Sequence, residues 1–290
     1  MTTFNNALNN PFPQSLAHGG TGASLTAANG AIPYSSASAI ALLAPTATAG
    51  LAFLSGSNAP PTWSNSPPIT KINIQTFSLS DGATQTYIPT AGTQFATVEL
   101  IGAGGGSGGI PQVTSGLFGV SGAGGGGAYA RKTFSISTIG ASQTITLGAQ
   151  GAGGAAGANA GGNGGTTSFG TLLLTAGGGL GGAAGSVGSG GSGNINGGNG
   201  GNATFGQVNM PGGAGFPALY ETANNLLNPG LGGSSAFCGN TNYQFNTSAV
   251  GGNSPGGGAP SIGYFTTTSV AIAGGLGGAS FALITEFIST

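Results

Sequence analysis

Residues 148–157 read GAQGAGGAAG and residues 179–191 read GLGGAAGSVGSGG, and in both stretches glycine returns at every third position. The phase runs Gly148, Gly151, Gly154, Gly157, then Gly179, Gly182, Gly185, Gly188, Gly191, and is resumed by Gly197 and Gly200. A polyproline II backbone has three residues per turn, so this spacing leaves a bare stripe along one side of an extended helix. Bare stripes let backbones approach closely. Neighbouring extended helices can then pair the N–H and C=O groups that a lone one leaves to water. Segments 102–109 (GAGGGSGG) and 122–127 (GAGGGG) are bare on nearly every side and are expected in the middle of such a packing. Flexible linkers have no reason to hold a phase, and collagen would not break its phase or lack proline inside the runs. Val187 lies off the stripe; Val187→Ala is expected to be tolerated if the side chain points away from the bundle, and not if Val187 is itself core.

Between the glycine runs lie short segments of strand character. Residues 71–80 (KINIQTFSLS) and 95–101 (FATVELI) are rich in β-branched and aromatic residues, and 129–137, 143–147, 171–175 and 280–289 (SFALITEFIS) read likewise. In the last of these both faces are largely apolar, which predicts burial on two sides. A shift in composition at Pro67–Pro68 divides the chain into 1–67 and 68–290. Residues 15–66 mix small, Ser/Thr and isolated apolar residues without a long helical or strand period, so this part has little to bury by itself.

Glycine (64) and proline (15) exceed a quarter of the 290 residues, a proportion that points to low complexity. Yet charged residues are 2% and hydrophobic ones 38%, the reverse of a disordered chain. The charges are Lys71, Arg131 and Lys132 against Asp81, Glu99, Glu221 and Glu286. Three basic residues cannot line a groove for phosphates, so nucleic acid and anionic membrane surfaces are not expected partners. Two apolar stretches, 39–54 and 270–284, are too short and too interrupted to span a bilayer, so no membrane insertion is expected. The single Cys238 excludes an internal disulfide framework. The opening MTTFNNALNNPFP has neither a basic nor an apolar signal region, and release by another route, such as lysis, is expected.

Catalytic signatures are weak. GGGSGG at 104–109 has GxGxxG spacing after a strand, but no helix pattern or acidic partner follows it, and chance explains it in so glycine-rich a chain. One His, one Cys and four scattered carboxylates do not make a metal site, and His18 beside Gly19–Gly20 reads as a turn residue. Acid–base hydrolysis would require the fold to unite two of the four carboxylates. The expectation is no enzyme, no cofactor and no metal. Arg131–Lys132 are expected to flank a strand edge, where charge discourages pairing.

Residues 16–63, LAHGGTGASLTAANGAIPYSSASAIALLAPTATAGLAFLSGSNAPPTW, resemble a repeat of bacteriophage tail-fibre proteins, with GGTGA followed by Ser-Ala and Trp landmarks in order. Residues 72–288 resemble the glycine-rich tip domain of such fibres, through VELIGAGGGSGG (98–109), GAGGGGAYARKTFSIS (122–137), QTITLGAQGAGG (143–154) and NGGTTSF (163–169). The resemblance implies a mostly β and irregular chain in which short strands frame a bundle of polyproline or polyglycine II helices, after an extended trimeric stem. It further implies a homotrimer in the virion, extracellular after release, joined through its N-terminal region to other tail proteins. Its receptor would be a bacterial surface glycan or an outer-membrane protein. A purely structural virion or filament protein is the alternative, and an ice-binding protein a more distant one.

If the runs are scaffold, the insertions between them are its loops, where binding tends to reside. Segments 110–121, 216–228 and 237–250 carry Phe118, Phe216, Tyr220, Phe237, Tyr243 and Phe245 beside Asn224, Asn225, Asn240 and Asn242. Rings and amides in this mixture suit a neutral glycan or an exposed protein loop. The same rings equally suit a core beneath the glycine runs.

Overall fold

The computed structural model describes residues 21–26, 28–55, 59–64, 68–79, 83–114, 116–188, 191–221, 226–245, 249–265 and 269–289. The chain divides into two compact units, Met1–Lys71 with Ser289–Thr290, and Ile72–Ile288. His18 lies outside the described residues.

In the first unit β1 (Ile32–Ser35) and β2 (Ile40–Leu43) form one antiparallel hairpin, and β3 (Phe53–Leu54) and β4 (Thr62–Trp63) form another. Trp63 meets Phe53 edge-on at 6.2 Å and donates its indole N–H to the Ala44 carbonyl at 2.8 Å. Strands of two to four residues are too short to leave a period in the sequence, which is why none is visible there.

The second unit begins with β5 (Lys71–Ser78), β6 (Thr84–Tyr87), β7 (Thr93–Ile101), β8 (Phe118–Val120), β9 (Tyr129–Ser135), α1 (Ile136–Ile139) and β10 (Gln143–Thr146). It continues with β11 (Thr167–Phe169), β12 (Leu174–Ala176), β13 (Ser186–Gly188), β14 (Ser192–Ile195), β15 (Ala203–Thr204) and β16 (Val208–Met210). β17 (Ala218–Glu221), β18 (Leu226–Asn228), β19 (Gln244–Phe245), β20 (Ile262–Phe265) and β21 (Phe281–Ile288) complete it. The class is therefore mostly β and irregular, with a single four-residue helix among the described residues.

Two five-stranded sheets, ordered β16-β9-β7-β21-β5 and β15-β12-β11-β10-β6, share one apolar core. Alternation in β7 sends Ala96, Val98 and Leu100 inward, and Ala282 and Ile284 of β21 meet them in register. Phe169 closes the middle, its ring 5.9 Å from Tyr87 and 5.6 Å from Phe134. Each fully buried ring or branched chain here contributes about 1.5–3 kcal/mol. β21 buries one face only: Ala282, Ile284, Glu286 and Ile288 are buried, while Phe281, Leu283, Thr285 and Phe287 are half-buried. The expected two-sided burial is therefore only partial: the second face is half-buried, not buried.

The glycine runs leave the ends of these strands and lie side by side. From Gly102 to Ile110 each N–H donates to a neighbouring backbone at 2.8–3.1 Å, and the acceptors rotate with a period of three. Gly102, Gly105 and Gly108 donate to Ala128, Gly125 and Gly122; Ala103, Gly106 and Gly109 to Gly165, Gly162 and Asn159; Gly104, Ser107 and Ile110 to Gly278, Gly275 and Ile272. The carbonyls of the same run accept from Gly179, Gly182 and Gly185, from Gly151, Gly154 and Gly157, and from Ala259. All of 102–109 and 121–128 is buried. The spacing needs glycine: a Cβ on Gly105 would lie 2.0 Å from the Leu180 carbonyl oxygen, and one on Gly124 would lie 2.0 Å from that of Gly105.

Two expectations need correction, and the alternative left at Val187 is decided. The stripe of 179–191 serves this lattice only as far as Gly185; Gly188 belongs to β13, and Gly191 turns the chain at φ +89°. Val187 does not point away but packs, half-buried, on the cluster of Ile110, Val113 and Ile262. Arg131 and Lys132 do not flank an edge, because β9 runs between β16 and β7; Arg131 stands opposite Glu99, and the Lys132 ammonium lies 5.1 Å from the Phe134 ring centre.

Candidate functional site

Away from the sandwich the runs end in two small sheets, ordered β13-β8-β20-β19 and β14-β17-β18. Of the residues singled out in the sequence, Phe118 lies in β8 at 3% exposure and offers no ring face to a ligand. This is a correction: β8 runs inside its sheet, between β13 and β20, and its side chains are buried there. Tyr220 is half-buried, and its ring lies across Gly193, its partner on β14, and across Gly188; a Cβ on either glycine would strike it at 2.3 and 2.7 Å. The ring caps bare backbone rather than standing free. Asn224 and Asn225 lie outside the described residues.

Phe237 is 58% exposed but meets Tyr129, the first residue of β9, edge-on at 5.4 Å. It therefore sits beside β9 of the sandwich, whereas Tyr220 stands in β17 of another sheet. Tyr243 and Phe245 pair edge-on at 5.3 Å, Phe245 remains exposed, and Asn242 is exposed beside them. Of the ten residues, the eight described ones do not form one site.

Two of them do converge. Phe216 and Asn240, from separate insertions, line one groove of about 420 Å³ with Ala214, Pro217 and Ser234 over a floor of Gly213 and Gly215. Three neighbouring segments hold it: Phe216 N–H donates to the Leu231 carbonyl at 2.9 Å, Gly213 N–H to Ser234 at 2.8 Å, and Gly232 N–H to Thr241 at 3.0 Å. Phe216 is half exposed. The Asn240 side-chain NH2 donates to the Gly232 carbonyl at 2.8 Å, which fixes the amide, and among the described residues its oxygen accepts no hydrogen bond. The Ser234 hydroxyl has no hydrogen-bond partner among the described residues and lies where a Cβ on Gly213 would touch it at 2.6 Å. Among the described residues no charged one lines the groove.

Sequence reasoning missed the most elaborate polar site, the buried carboxylate of Glu286. Oε1 accepts from Tyr87 hydroxyl (2.8 Å), Thr90 N–H (2.9 Å) and Gln75 Nε2 (3.2 Å), and Oε2 from Asn73 Nδ2 (2.7 Å) and Thr90 hydroxyl (2.6 Å). Burial opposes its charge, yet these donors outweigh burial and hold the carboxyl below its usual range. The Tyr87 phenol is pushed up by burial first and then by its bond to Glu286. Tyr129 is pushed up in the same way, with Glu99 as its acceptor. Amides at positions 73 and 75 on the inward face of β5 were the available sequence signal.

Glu99 and Glu286 do not form an acid–base pair. They lie on opposite faces of one sheet, Glu99 opposite Leu283 and Glu286 opposite Ala96. Glu221 stands in β17 on another sheet, and Asp81 lies outside the described residues. Among the described residues no group of three or more His, Cys, Asp or Glu gathers to hold a metal, and no helix is long and apolar enough to cross a membrane. Compared with known proteins, the chain matches no family model and no curated protein.

Proposed function

We propose that the chain is a phage tail-fibre or spike protein of the virion that binds a receptor on the bacterial surface, without catalysis. In this reading the glycine runs are a bundle of polyglycine II helices, and residues 1–67 are the attachment region and trimeric stem. The supporting observation is the period-three exchange of hydrogen bonds around 102–110. A scaffold closed by backbone alone has no side chains to spare for recognition, so recognition belongs to the insertions. Exposed Phe216, Phe245 and Asn242, which the small core does not use, support that division. The partner is a surface glycan or an outer-membrane protein.

The test is binding of the fluorescently labelled full chain to a broad panel of intact bacteria. Saturable binding to a subset of strains is expected. Assembly into filaments with no binding to any strain would instead favour a purely structural virion protein.

A further inference from the structure

We propose that the groove between Phe216 and Asn240 is a subsite for one neutral pyranose sugar of a surface glycan, a reading that rests on the receptor-binding role proposed above. Its chemistry favours this ligand class on four counts. First, among the described residues no charged side chain lines it, so these have nothing with which to select an anionic sugar, a phosphate or a charged peptide. Second, the half-exposed Phe216 ring offers a flat apolar face beside Ala214 and Pro217, suited to the C–H face of a pyranose. Third, the polar groups are of both kinds. The Asn240 amide oxygen is an acceptor held in place by its own NH2 bond, and the Ser234 hydroxyl is a donor with no other partner among the described residues. A sugar hydroxyl both gives and takes hydrogen bonds and matches such a pair. Fourth, a glycine floor lets a ring lie flat on backbone, and about 420 Å³ falls within the range of small-ligand clefts.

The site is also preorganised. Its three segments are fixed to one another by backbone hydrogen bonds of 2.8–3.0 Å, so little ordering is required when the ligand arrives. A charged protein loop is the poorer occupant, since no charged side chain among the described lining residues could pair with it.

The full chain and its Phe216→Ala, Asn240→Ala and Ser234→Ala variants are compared on an array of neutral oligosaccharides and on a bound bacterial strain. That strain is tested untreated, periodate-oxidised and protease-shaved. Melting temperatures establish that each variant is folded. The expected result is array binding by the parent, a drop of about tenfold or more for Phe216→Ala, and a smaller drop for the other two. Cell binding should be lost on periodate treatment and kept after protease. The subsite is overturned if no neutral oligosaccharide binds, if folded Phe216→Ala keeps parental affinity, or if only protease abolishes cell binding. The last outcome would leave the receptor-binding role standing, whereas array binding with no cell bound would overturn that role and keep the subsite.

Discussion

Gly105→Ala tests the scaffold with a single methyl group. Its Cβ would lie 2.0 Å from the Leu180 oxygen, where real Cβ atoms essentially never come within 3.0 Å. The obstacle is backbone and cannot rotate aside, so the run carrying Leu180 must retreat by about 1 Å or more, the difference between those distances. The bonds at stake are Gly105 N–H to Gly125, Gly125 N–H to Leu180 and Ala259 N–H to Gly105, at 2.8, 2.8 and 3.0 Å. At about 1–3 kcal/mol for each buried group left unsatisfied, the loss is about 3–9 kcal/mol, comparable with the whole stability of a domain. Gly239→Ala is the control, because nothing lies within 4 Å of a Cβ there and its φ is not positive. Soluble yield and the urea midpoint are the measurements. Gly239→Ala should stay within about 1 kcal/mol of the parent, and Gly105→Ala should unfold or aggregate. If Gly105→Ala melted within about 1 kcal/mol of the parent, the lattice would not be what holds the unit together.

Glu286→Gln should destabilise by about 3 kcal/mol, because a donor NH2 replaces a carboxylate oxygen among groups that all donate. Because the folded carboxyl is held low, its contribution is present above the unfolded value of about 4.3 and is lost as pH falls through the folded value. Melting temperature should therefore be nearly flat in pH and salt between mild acid and mild base, and the acid decline should be shallower in the variant. Tyr87 and Tyr129, both held high, should resist ionisation when ultraviolet absorbance follows an alkaline titration, and stability should fall above about pH 10 as the unfolded phenols ionise. Mass measurement of the intact chain in solution should give a trimer; a monomer at micromolar concentration would refute the stem proposal.

The mostly β class was legible because β7 and β21 carry long apolar stretches, and glycine at every third residue pointed to close approach of backbones. The same phase misled beyond Gly185, where Gly188 and Gly191 fall in step by coincidence, one under the Tyr220 ring and one in a turn. The site was less legible. Composition singles out rings and amides, but Phe118 and Phe216 look alike in sequence, and only packing makes one core and the other exposed. The groove depends on Ser234 and Asn240 arriving beside 213–217 through hydrogen bonds between runs, a long-range fact that no local pattern encodes. Glu286 escaped notice because its five donors come from segments some two hundred residues earlier, none of them charged.

The way the chain enters the second unit on β5 and leaves it on β21 has a mechanical meaning. These strands are neighbours in one sheet, and Glu286 ties β21 to Asn73 and Gln75 of β5. Suppose the unit is pulled at Lys71 while an object is held in the groove. Tension then passes from β5 through the sheet and along the axes of the glycine runs. The bonds between runs lie across that axis and side by side, so those between the sheet and the groove are loaded in shear. Bonds that share a load must give way together, so the unit should transmit force as a stiff rod up to an abrupt limit instead of paying out slack.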